Sequence, residues 1–167
     1  MNNILELSNE KKIQLAQDPN TSQDTLAVLV TDEDWGVRYG VALNLNTSQE
    51  TLEILATDKD SVVRYWVARN PNISQETLAV LVTDEDPDVP YWVAQHPNIS
   101  QDTLAVLATD EDSWVRCGVA LNPNTSQETL AILATDENSN VRYWVAKNPN
   151  ATEITRRLVL MTNEQHA

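Results

Sequence analysis

Apolar positions recur along this chain in two short bursts separated by polar turns, and the pair of bursts repeats every 26 residues. The dipeptide Ser-Gln marks the register at Ser22, Ser48, Ser74, Ser100 and Ser126, giving five units: 22–47, 48–73, 74–99, 100–125 and 126–151. A fixed period of this length is the signature of a stacked repeat protein, in which each unit covers the apolar face of the next. The first burst, Leu26, Val28, Leu29 and Val30 in unit one, predicts a helix A from about Ser22 to Thr31. Its apolar arc exceeds half of the helix circumference, so helix A is expected to be covered on several sides and unavailable to a partner. Two frames compete for its start. With Ser as N-cap, Ile73 faces Leu78 and Ile99 faces Leu104 as hydrophobic staples; with Thr47 as N-cap, Glu50 completes a capping box.

The second burst, Val37, Val41 and Ala42, recurs as Val63, Val67, Ala68 and as Val89, Val93, Ala94. That spacing places three apolar side chains on one stripe and predicts a helix B from about Trp35 to Leu43. The Asn-Pro-Asn that follows ends the helix, because the residue before proline is pushed out of the helical region. Two helices in 26 residues leave no room for a strand. Residues 15–21 read as the tail of an earlier copy, and 152–161 as a decayed helix A of a later one. The expected organisation is an N-terminal cap with a partial repeat (1–21), five repeats (22–151), and a C-terminal cap helix and tail (152–167). Lys11, Lys12, Arg156 and Arg157 supply the charge that closes the two ends of the stack. The fold class is all-α, an α-solenoid of two-helix repeats.

The repeated text Leu-Ala-Thr-Asp, then Asp-x-x-Val-Arg-x-x-Val-Ala, then Asn-Pro-Asn-Thr, as in 104–125, resembles the variant leucine-rich repeat family of bacteria over about 15–151. The resemblance implies a right-handed superhelix of alternating α- and 3₁₀-helices; it does not imply an enzymatic activity. The family's usual period is slightly shorter than 26. Helix B therefore has two readings, a 3₁₀-helix or a full α-helix as in a HEAT-like repeat.

Charge narrows the function classes. Lys and Arg total 11 against 25 Asp and Glu, a net charge of −14. Phosphate recognition runs on Lys and Arg, so nucleic acid and anionic membranes are not the expected partners. No apolar run approaches the ~18 residues of a membrane span. The first residues, Met1 to Lys12, lack a signal-peptide apolar core, and Cys117 is the single cysteine, so a reducing cytoplasm is expected. The two histidines, His96 and His166, lie far apart with no cysteine near them and suggest neither a metal site nor a catalytic base. There is no Gly-rich phosphate loop. The expectation is no catalytic residue, no cofactor and no metal.

Two constellations remain. Acidic triplets at Asp32-Glu33-Asp34, Asp58-Lys59-Asp60, Asp84-Glu85-Asp86, Asp110-Glu111-Asp112 and Asp136-Glu137-Asn138 line one edge. Their third residues suit N-caps of helix B, and the ridge is a candidate surface for an electrostatic partner. Arg38, Arg64, Arg116 and Arg142 follow the inward Val and are placed to reach a turn carboxylate as inter-repeat ion pairs. Pro90 stands where the third repeat would have its Arg, in the first turn of helix B where proline is tolerated. The other side of helix B carries Tyr39, Tyr65, Trp66, Tyr91, Trp92, Trp114, Tyr143 and Trp144. These are the candidate partner-binding residues, because Tyr and Trp are enriched at binding hot spots. Packing between neighbouring helices B, with Gly40 and Gly118 making room for a Trp, accounts for them equally well. The function expected is a non-enzymatic module for an unknown protein or peptide partner, using the aromatic face. The alternative is an acidic electrostatic partner or nucleic-acid mimic that uses the ridge.

Overall fold

A computed structural model describes residues 4–165. After a 3₁₀ turn at Ile4–Glu6 come twelve α-helices among the described residues, and no strand. They are α1 (Asn9–Gln17), α2 (Gln23–Leu29), α3 (Trp35–Leu43), α4 (Gln49–Leu55), α5 (Ser61–Arg69), α6 (Gln75–Leu81), α7 (Asp88–Ala94), α8 (Gln101–Leu107), α9 (Ser113–Leu121), α10 (Gln127–Leu133), α11 (Ser139–Lys147) and α12 (Glu153–Gln165). Helix A corresponds to the even-numbered helices and helix B to the odd-numbered ones. Both are α-helices, which settles the two readings of helix B. The chain forms two compact units, one ending at Leu81 and one starting at Val82. In the first, α1, α3 and α5 pack side by side, each repeat's helix A lying against its own helix B. In the second, α7, α9 and α11 do the same and α12 closes the row. Each unit has the architecture of an all-α helical-repeat solenoid.

Local chemistry fixes the element ends. Serine is the N-cap of helix A: Ser22 accepts from Thr25 N at 3.3 Å and Ser100 from Thr103 N at 3.1 Å. Thr47 is not a cap, because its hydroxyl donates to Val41 O at 2.6 Å and is spent on the preceding helix. Helix A is shorter than expected, seven residues, closing through tight i→i+3 bonds such as Asp58 N to Leu55 O at 3.1 Å. Helix B starts on an aspartate or asparagine, with Asp34 accepting from Gly36 N at 2.8 Å and Asp112 from Trp114 N at 2.8 Å. Only α7 begins late, at Asp88, because Pro87 and Pro90 occupy its start; with Pro90 in the first turn the helix runs on unbroken to Ala94.

The core is aliphatic. The two leucines of each helix A, such as Leu26 and Leu29 or Leu104 and Leu107, are buried. So are Val37, Val41, Ala42 and their counterparts through Val115, Val119 and Ala120. Each large side chain so buried contributes ~1.5–3 kcal/mol. Helix A is not covered all round, contrary to the expectation. Val28, Ile54, Val80, Val106 and Ile132 are between 40% and 58% exposed. At 100° per residue, Val28 lies ~200° from Leu26, on the far side of a two-turn helix whose Leu26–Leu29–Val30 side faces inward.

The first and last helices are tied to their own units by specific bonds. α1 is a complete helix B in register with α3, and Lys12 stands where Arg38 stands one repeat later. Arg156 on α12 donates to Ala146 O and Asn148 O, both at 3.2 Å. Lys11 and Arg157 are exposed and take no such role.

Candidate functional site

The acidic turns are built from inside the stack. In each triplet the first aspartate accepts from the backbone N–H of the third residue, as Asp32 does from Asp34 N at 3.0 Å and Asp110 from Asp112 N at 2.9 Å. In Asp32, Asp58 and Asp136 the remaining carboxylate edge meets the cation of the preceding repeat. Arg38 forks onto Asp58, Nε to Oδ2 at 2.6 Å and Nη2 to Oδ1 at 2.9 Å, and Arg116 forks onto Asp136 at 2.7 and 3.0 Å. The same guanidinium turns Nη1 onto its own turn, to Asp32 O and Glu33 O from Arg38 and to Asp110 O and Glu111 O from Arg116. At the first and last helices, Lys12 of α1 serves Asp32 at 2.8 Å, and Arg142 is received by Asn163 Oδ1 of α12 at 2.6 Å. The middle residue of each triplet is the exposed one: Glu33, Lys59, Glu85, Glu111 and Glu137.

Electrostatics follow from that placement. Burial pushes the Asp32 carboxyl up, but hydrogen bonds from Lys12 and from Asp34 N more than offset it, and the net position is below the ordinary aspartate range. A carboxyl depressed by folding stabilises the native state above its unfolded pKa of ~3.9, and that stabilisation is lost as pH falls through the folded value. In Lys12→Met the larger of the two offsetting hydrogen bonds is lost, and burial is opposed only by Asp34 N and Arg38. The variant's acid unfolding midpoint, followed by circular dichroism, is expected at higher pH than that of the parent protein. Superimposable acid transitions would show that the Lys12–Asp32 pair adds nothing. The hydrogen bond to Asp58 holds the Arg38 guanidinium above its usual value despite burial, and Asp136 does the same for Arg116.

The sequence-predicted aromatic residues all lie on helix B, four of them in the first unit with Trp35 included and five in the second. Trp35, Trp114 and Tyr143 are about half exposed, at 52%, 48% and 53%. Tyr39, Tyr65, Trp66, Tyr91, Trp92 and Trp144 are half-buried. In the first unit Tyr39 meets the edge of Trp66 at 5.6 Å, and Trp66 meets Tyr65 at 5.5 Å. Arg69 lies over Trp66 at 4.5 Å and donates to Tyr65 Oη at 3.0 Å. In the second unit Tyr91 stacks on Trp114 at 4.3 Å with the rings 14° apart. Tyr143 and Trp144 meet edge to face at 5.1 Å, with Lys147 over Tyr143 at 5.7 Å.

The small residues on this face make room, though not for a Trp as expected. A Cβ on Gly40 would sit 2.8 Å from the Ala16 Cβ, so glycine lets α3 approach α1. One on Gly118 would sit 2.9 Å from Tyr91 O and 3.0 Å from its ring. Gly118 thus admits Tyr91, which Trp114, one turn earlier on α9, then covers. Cys117, in the register of the tyrosines, is buried, and burial pushes its thiol up, away from reactivity.

Two features escaped the sequence. The exposed aliphatic row on helix A was hidden because its residues look like core; their placement opposite the leucines was the available signal. The second is a ladder of buried asparagines. Asn44 donates to Ala16 O and Asp18 O, Asn70 to Ala42 O and Asn44 O, Asn122 to Ala94 O and His96 O, and Asn148 to Ala120 O and Asn122 O. His96 holds the same place in the third repeat: buried, it accepts from Asn98 N through Nδ1 as Asn122 accepts from Asn124 N through Oδ1. It is a structural residue. His166 lies outside the described residues.

Residues 114–138, running from Trp114 on helix B to the next acidic turn and one residue short of a full period, match the family model described as leucine rich repeat variant. This family is a helical-repeat scaffold rather than an enzyme family, and such scaffolds are commonly used for protein interaction. No curated protein matches the chain. Among the described residues no helix is long and apolar enough to cross a membrane.

Proposed function

We propose that this leucine rich repeat variant scaffold is a non-enzymatic protein-interaction module that holds a protein or peptide on the aromatic face of helix B. One observation carries the reading. The chain has five Trp, four Tyr and no Phe, and every one of these nine rings lies on helix B with none fully buried. Aromatic side chains bury the largest apolar areas of any residues and normally dominate a core. Here the core is aliphatic, chiefly Leu, Val and Ala, and every ring is kept at least partly exposed. There they are pre-positioned by edge and stacking contacts, which lowers the entropy lost when a partner binds. The acidic ridge is the weaker face, because the first and third carboxylates of most triplets are engaged in ion pairs or caps.

The test is capture of a partner from native lysate by the parent protein and by the Trp66→Ala, Trp92→Ala double variant, with helicity monitored. Capture is expected to be lost at nearly unchanged helicity, and to survive raised salt, since apolar contacts are not screened. Undiminished capture by the double variant, or capture that disappears with salt alone, would move the site off the aromatic face.

A further inference from the structure

The Arg–Asp ladder has a missing rung in the second unit. Pro90 occupies the register of Arg38 and Arg116. Shifted by one repeat, the acceptors that hold the Arg116 guanidinium become Asp84 O, Glu85 O and the Asp110 carboxylate. At that place the structure has a solvent-open cavity of about 520 Å³. Its lining includes Asp84, Glu85 and Asp110, with Pro90, Val106 and Val115 as apolar wall. The Asp110 carboxylate receives the Asp112 N–H at 2.9 Å and meets no cation among the described residues.

We propose that this vacated rung binds the guanidinium of an arginine side chain supplied by a partner polypeptide. The site is more than a group of acidic residues. Twice elsewhere in the same molecule the equivalent acceptors, two turn carbonyls and one carboxylate edge, ligate a guanidinium with bonds of 2.6 to 3.1 Å. A planar carboxylate facing two carbonyls suits a forked, planar donor better than the point charge of an ammonium. A metal ion is a poorer fit, since calcium takes six to eight oxygens around one point, and no group of three ligating side chains occurs among the described residues. Asp84 and Glu85 each have another partner, and a turn residue engaged elsewhere can still serve a guanidinium. In the first unit Asp58 gives its carboxylate to Arg38 while its carbonyl accepts from Arg64 at 2.8 Å. Val106, 58% exposed, offers a surface for the aliphatic stem of the incoming side chain, and the net charge of −14 draws cations toward the protein. The rung is independent of the aromatic-face reading, and its test leaves those residues unchanged.

The probe is a blocked tripeptide, acetyl-Gly-Arg-Gly-amide, titrated into the full chain at low salt and followed by backbone amide NMR. Matched lysine and citrulline peptides serve as comparators. Saturable binding in the millimolar range is expected, with shifts centred on residues 84–85 and 110–112. The lysine peptide should bind about tenfold more weakly, and the citrulline peptide should not saturate. Pro90→Arg fills the rung from within; it should abolish peptide binding and raise Tm, whereas Pro90→Ala keeps binding. Asp110→Asn should weaken binding about tenfold or more. If Pro90→Arg fails to fold, Asp110→Asn decides alone. Absence of saturable arginine binding, equal binding of the lysine peptide, or binding indifferent to Asp110→Asn would overturn the proposal.

Discussion

Replacing Arg116 with alanine should lower the unfolding free energy by about 3 kcal/mol, the low end for a buried ion pair that loses one partner. The guanidinium makes two bonds to Asp136 and two to the carbonyls of Asp110 and Glu111, and both side chains of the pair are less than a tenth exposed. Alanine removes all four donors at once. The Asp136 carboxylate is then left with the N–H of Asn138 at 2.8 Å and no forked donor. The loss arises mostly from that stranded charge, so relief should come from neutralising it. Arg116→Met combined with Asp136→Leu removes the charge from both sides and should recover much of the difference, since apolar replacement of a whole buried pair is often close to neutral. Arg69→Ala is the comparison. Arg69 is exposed, and its contacts include cation–π approaches to Trp66 and Tyr65 and a bond to Tyr65 Oη. Its loss should cost under ~1 kcal/mol. Urea unfolding of the four proteins measures all of this. Equal effects from Arg116→Ala and Arg69→Ala would remove the ladder as a source of stability.

The ladder was legible in the sequence because each of its parts sits at a fixed offset from an unmistakable core stripe. An arginine beside Val37, and a carboxylate in the next turn, have few other partners within reach. The limits of helix B were legible for a related reason: an aspartate before the apolar burst and an asparagine after it both carry local hydrogen-bonding chemistry. Helix A was harder. Val28 and Val106 are as apolar as Leu26 and Leu104, and composition alone cannot say which side a two-turn helix turns inward. Only packing against its own helix B decides that. Gly118 was misread for a similar reason. The sequence showed that a large side chain was missing, but the occupant of the space, Tyr91, comes from 27 residues earlier and is placed by the stack. For the partner-binding face the sequence located the rings but not their exposure, because a ring on helix B is half-covered or open according to what the adjacent repeat holds. Trp114 is half exposed because Tyr91 lies beneath it; Trp66 is half-buried under Arg69 and against Tyr39.

The asparagine ladder leads to the most direct contradiction of a local reading, and to the second large expected effect. Helix B should owe its end more to the asparagine than to the proline that follows it. In the first repeat Leu45 replaces that proline, yet Asn44 has φ −71° and ψ 124°, against φ −67° and ψ 122° for Asn122, which precedes Pro123. The helix stops at the same place with the same geometry. What both share is the side chain. Asn122, 2% exposed, donates to Ala94 O at 2.7 Å and His96 O at 3.4 Å, and accepts from Asn124 N at 2.8 Å. The first of these carbonyls belongs to the last turn of α7, where no intrahelical donor remains. One amide thus closes its own turn and caps the helix of the preceding repeat. Asn122→Ala leaves buried backbone groups unsatisfied, at ~1–3 kcal/mol each, and a total loss of about 3 kcal/mol is expected. Asn122→Asp keeps the acceptor for Asn124 N but points a carboxylate at two carbonyl oxygens, and should be no better than alanine. Pro123→Ala, whose backbone Leu45 shows to be attainable without proline, should change stability by less than ~1 kcal/mol, mainly through the unfolded chain. Chemical denaturation of the three variants separates the contributions: if Pro123→Ala proves as damaging as Asn122→Ala, the proline is the terminator after all and the cross-repeat amide is incidental.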